Sequence, residues 1–72
     1  MSRPTLIDVP AEELELGMLV HFETIGPRAV MDAPRRIRSG VVQVLLGWPG
    51  KPHIRWDLAA RFPVAVIDQA RI

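Results

Sequence analysis

Apolar and polar positions are most regular between Gly40 and Asp57. An apolar run, Val41-Val42-Gln43-Val44-Leu45-Leu46, is followed by Gly47-Trp48-Pro49-Gly50-Lys51-Pro52 and then by the alternating run His53-Ile54-Arg55-Trp56-Asp57. Two β-favouring runs around a Pro-Gly pair predict a β-hairpin. Proline fixes φ at the second position of a type II turn, and glycine supplies the positive φ at the third. Period-two alternation puts Val42, Val44 and Leu46 on one face of the first arm, and Val41, Gln43 and Leu45 on the other. The second face is therefore partly apolar too. In the second arm Ile54, Trp56 and Leu58 form the buried set, with His53, Arg55 and Asp57 outside.

The flanking chain reads as shorter pieces. Thr5 to Val9, closed by Pro10, fits an extended or edge strand. Pro10 to Leu14 predicts a single helical turn, with acidic residues where the helix dipole favours them, and Gly17 redirects the chain. Met18 to Glu23 alternates, so Met18, Val20 and Phe22 are expected inward and Leu19, His21 and Glu23 outward. From Ile25 to Gly40 periodicity is weak, which predicts a long loop or ragged hairpin with a short strand at Arg28 to Met31. Ile37 is expected inward, between Arg36 and Arg38. Leu58 to Arg61 fits a second helical turn, and Phe62 to Ile67 a last strand before a tail from Asp68 to Ile72.

Short strands with closely spaced turn signals predict an all-β fold, a small antiparallel barrel of about five strands with one or two helical turns. Leu14-Glu15-Leu16-Gly17-Met18-Leu19-Val20 is similar to the entry into the first strand of SH3-like small barrels. Leu58-Ala59-Ala60-Arg61 stands where those folds often place a 3₁₀ turn. The resemblance spans residues 14 to 67 and implies an SH3-like barrel, with residues 1–13 as an arm and 68–72 as a tail of a single domain. Members of that class bind proline-rich peptides, RNA, DNA or ribosomal surfaces, or assemble with themselves. The peptide-binding members use an aromatic-rich groove and an acidic loop; this chain has no tyrosine and carries an arginine-rich loop.

Composition narrows the chemistry. The 72 residues suit one domain, and with no cysteine there is neither a disulfide nor a thiolate metal site to staple a small core. Self-association would add buried area. No signal-peptide pattern opens the chain and no run is long enough to span a bilayer, so a cytoplasmic protein is expected. The net charge of +1 conceals a split. Residues 1–24 carry Arg3 against Asp8, Glu12, Glu13, Glu15 and Glu23, whereas residues 25–72 carry eight basic side chains against Asp32, Asp57 and Asp68.

Catalysis is not expected. Ser2 and Ser39 are the only serines, and the two histidines fall in separate strands, so no nucleophile and base are set together. His21 and His53, with Glu23 or Asp57, could hold a metal only if their strands were neighbours, and exposed strand histidines are the commoner case. No metal or other cofactor is expected. The leading expectation is a non-catalytic interaction module or small regulatory protein that binds a protein partner or its own copies through Leu19, Val41, Leu45 and Trp48. The alternative is nucleic-acid binding through Arg28, Arg35, Arg36, Arg38 and Arg55, with Lys51 nearby and Trp48 as a stacking surface. The sequence pI near 8.5 lies below the strongly basic range of dedicated nucleic-acid binders.

Overall fold

The computed structural model describes residues 5–68 and is almost entirely antiparallel β-structure. In chain order its elements are β1 (Leu6–Pro10), a 3₁₀ turn (Ala11–Glu13), β2 (Leu19–Val20), β3 (Arg28–Val30), β4 (Arg35–Arg38), β5 (Val41–Trp48), β6 (Lys51–Ala59) and β7 (Pro63–Ile67). Neighbours in the sheet run β1, β7, β2, β3, β5, and β6 pairs with β5. β3 and β4 share one edge of β5: β3 pairs at Leu46 and Gly47, and β4 at Val41, Val42 and Gln43.

The central hairpin forms as its alternation predicts. β5 and β6 pair from Val41 with Ala59 to Trp48 with Lys51. Gly50 takes a φ of +76°, the left-handed value that the third position of a type II turn requires. The register shifts between Leu46 and Trp48, a β-bulge that twists the tip of the hairpin.

Elsewhere the structure corrects the expected boundaries. Among the described residues there are seven strands rather than about five. Asp32-Ala33-Pro34 interrupts what would otherwise be one strand along β5, and the N-terminal arm supplies a strand by pairing Leu6–Pro10 with Ile67–Pro63. That arm is not outside the core, because Ala11 is fully buried and its N–H donates to the Phe62 carbonyl at 2.9 Å. The strand expected from Met18 to Glu23 shortens to two residues, since the Gly26 N–H donates back to the Phe22 carbonyl and bends the chain away. No second helical turn forms at Leu58–Arg61. Leu58 and Ala59 stay paired with Val42 and Val41, and the reversal is a tight turn in which the Phe62 N–H donates to the Ala59 carbonyl. Of the tail, Asp68 donates its N–H to the Thr5 carbonyl, and residues 69–72 lie outside the described residues.

The buried face of β2, β3, β5 and β7 is largely valine. Val20, Val30, Val42, Val44, Leu46, Leu58, Val64 and Val66 are buried, closed at one end by Ala11, Leu14 and Ala60. Branched side chains lose little freedom on a pleated sheet, which makes them economical core residues here. Met18 and Phe22 pack against this cluster from the expected side. Trp56, expected in the core, is only half-buried: it stands at the rim, its ring centroid 5.1 Å from that of Phe22. Ile37 is exposed instead of inward. Arg36 pairs with Val42 and Arg38 with Val41, so Ile37 is the extra residue of a bulge and faces no partner. No helix among the described residues is long and apolar enough to cross a membrane.

Leu46 has no exposed surface, so Leu46→Ala is expected to lower the unfolding free energy by about 2–5 kcal/mol in urea denaturation. Leu16, 71% exposed, should change it by less than about 0.5 kcal/mol when replaced by alanine.

Candidate functional site

The alternation that buries Val42, Val44 and Leu46 turns Val41, Gln43, Leu45 and Gly47 to the opposite, outer face of β5. Register carries that face across the sheet. Leu19 pairs with Ala29 and Ala29 with Gly47; Arg35 pairs with Gln43 and Gln43 with Asp57; Leu45 pairs with Arg55. Leu19, Val41 and Leu45, expected to share a contact surface, therefore lie on one face, each half-buried. Trp48 follows at the hairpin tip, 36% exposed.

Gly47 gives this face its relief. A Cβ there would lie 2.9 Å from the Met31 Cγ, 3.0 Å from the Met31 Sδ and 3.0 Å from the His53 Cδ2. Met31 and His53 thus close in from the flanking chain segments over a residue that has no side chain. The result is a cleft of about 490 Å³ lined by Ala29, Met31, Gly47, Trp48, Pro49 and His53. A smaller groove of about 160 Å³ lies on the same face, with Arg35 and Arg55 on either side of Leu45 and Gln43, and with Asp32 and Ala33 at its margin. Gln43 Nε2 donates to Asp57 Oδ1 at 3.1 Å across the β5–β6 pair.

The arginines do not form one set. Arg28 is 7% exposed, and its Nη1 donates to the carbonyls of Ile25 and Pro27, both at 2.8 Å. It holds its own turn and is no part of an exposed basic surface, because its position in β3 has the inward parity of Val30. Arg36 sits opposite the inward Val42 and reaches Glu12, with Nη2 and Oε2 3.9 Å apart. Arg35 and Arg55 share the groove, Arg38 is exposed opposite Val41, and Lys51 stands at the hairpin end.

No family model matches the chain, and neither a curated protein nor a solved structure does. Among the described residues no three histidine, cysteine or acidic side chains come together as a metal site. His53 instead lines the apolar cleft, while His21 lies where its N–H donates to the Ala65 carbonyl of β7. What the outer face offers is an apolar cleft with an indole and a thioether at its rim, beside two guanidinium groups. Such a surface can seat an apolar side chain in the cleft and an anionic group over the arginines.

Ala29, Met31, Gly47 and His53 were not among the expected site residues. The signal was present in Gly47: a glycine inside a strand marks a bulge or a close approach, but next to Pro49-Gly50 it reads as part of the turn.

Two substitutions separate these roles. Arg28→Ala should destabilise the fold by about 1–3 kcal/mol in denaturant titration, through the lost bonds to its turn, without altering any ligand contact of the outer face. Gly47→Ala should fill the floor of the cleft while the exposed Met31 side chain swings aside and the exposed His53 ring gives by a few tenths of an ångström, so that melting changes little and the Met31 methyl resonance moves. An unmoved Met31 resonance would contradict the packing described for the cleft.

Proposed function

We propose that this chain is a non-catalytic interaction module of the SH3-like barrel type that takes a protein partner on the outer face of its sheet. The barrel reading is supported by the succession β2, β3, β5, β6 and the return of β7 beside β2. The observation that carries the functional reading is the cleft over Gly47, with Trp48 at its rim and Leu19, Val41 and Leu45 on the same face. Exposed aromatic residues beside a preformed apolar cleft are typical anchors of protein contacts. The contact centres on Trp48 and Leu45, with Leu19 and Val41 towards its margins.

Nucleic-acid binding is the second reading, and Arg35 and Arg55 facing each other across one groove speak for it. Two of its arginines lie apart from this groove, since Arg28 bonds to its own turn and Arg36 sits opposite the inward Val42. Asp32 at the margin of the groove also opposes phosphate.

The two readings separate by salt and by residue. Random duplex and single-stranded oligonucleotides should not bind with salt-dependent affinity between about 50 and 200 mM salt. A partner captured from nuclease-treated extract should be lost on Trp48→Ala and on Leu45→Glu, with each variant still folded, and retained when Arg35, Arg38 and Arg55 become alanine. Steeply salt-dependent oligonucleotide binding that disappears in the triple arginine variant would replace the protein-partner reading with the second one.

A further inference from the structure

Among the described residues β5 is paired along both edges and β6 along one. Among the described residues no strand lies beside the outer edge of Lys51–Ala59, a run of nine residues. Pro52 has no N–H to offer, but from His53 onward alternate backbone N–H and C=O groups of such an edge point away from the sheet and can accept another strand. Proteins usually blunt a long edge with charge, and β6 carries His53, Arg55 and Asp57 on its outer face. The inward side chains Ile54 and Trp56 remain half-exposed for want of a neighbour.

The order of these side chains is self-complementary. We propose that the β6 edge pairs antiparallel with β6 of a second copy of this chain, with the two-fold axis at Trp56. Residue numbers of facing positions then sum to a constant, which sets Arg55 opposite Asp57 of the second copy and Asp57 opposite its Arg55. On the inner face the two Trp56 side chains meet, and Ile54 faces Leu58. Among the described residues Arg55 has no ion pair, and Asp57 uses Oδ1 for Gln43, which leaves Oδ2 for the arriving guanidinium. Moving the axis by one residue to Arg55 would set arginine against arginine and is disfavoured. The match of charge and of apolar residues in one register is what selects a second copy over an unrelated strand. The contact's hydrogen bonds run along the edge of the sheet, and of the outer face it takes only Arg55 and Asp57, leaving the cleft over Gly47 and Trp48 free for the function proposed above. It would join two outer faces into one continuous sheet.

The test is the solution mass of the whole chain, by sedimentation equilibrium over a range of concentrations, for the wild type, Arg55→Asp, Asp57→Arg and the double exchange. The wild type is expected to reach twice 8.1 kDa. Each single reversal places like charges opposite one another twice in the two-fold pair and should weaken dimerisation by about tenfold, whereas the double exchange should restore it. Far-UV circular dichroism confirms that each variant is folded. A wild type that stays monomeric at millimolar concentration overturns the proposal, whatever binds to the outer face. A dimer that ignores all three variants overturns it as well, because the copies would then meet elsewhere.

Discussion

The structure depends on β5 being hydrogen-bonded along both edges. β6 occupies one edge over its whole length, while β4 and β3 follow each other along the other. A strand fixed on both sides cannot slip by one residue without turning Val42, Val44 and Leu46 into solvent. The register of the sheet, the composition of the core and the position of the outer cleft all follow from that constraint. Alternation then divides the work between two faces of one strand: the inner face holds the valine core, and the outer face, with Leu45 and Gly47, is left available.

Charge follows the same division. Along the sequence the acidic first third and the basic remainder look like a dipole, but folding dismantles part of it. Glu12, in the 3₁₀ turn, comes to 3.9 Å from Arg36, an exposed pair of small energetic value. Arg28 is withdrawn into the turn that precedes β3, where its guanidinium donates to the carbonyls of Ile25 and Pro27. Arg35, Arg38 and Arg55 are left on the outer face. Their number suits the orientation of an anionic group on a partner better than the tracking of a phosphate backbone, which draws on many contacts.

The hairpin, its turn type and the facing of β5 were legible because each rests on local chemistry: alternation over six residues, and a Pro-Gly pair with one low-energy geometry. Trp56 and Ile37 were misplaced for non-local reasons. Trp56 has the inward parity but lies in a strand that, among the described residues, has no neighbour beyond it, and the side of Ile37 is decided by a bulge that alternation cannot foresee. The helical turn expected at Leu58 gave way because pairing with Val42 and Val41 outweighs the weak helical preference of Leu-Ala-Ala. At the outer face, the facing of Leu19, Val41 and Leu45 follows from parity, whereas Trp48 has the inward parity and owes its exposure to the hairpin tip and the bulge before it. Met31 could not, since it reaches Gly47 from the chain between β3 and β4, a segment without periodicity.

Native-state amide hydrogen exchange, followed by NMR in dilute solution, tests the role of β5 most directly. The amides of Val42 to Leu46 should be the slowest in the molecule, exchanging only through global unfolding, while those of β6 should alternate between slow and fast along the strand. Exchange in β5 as fast as in β1, or uniform protection along β6 in the monomer, would contradict a sheet held by one doubly paired strand with an open edge beside it.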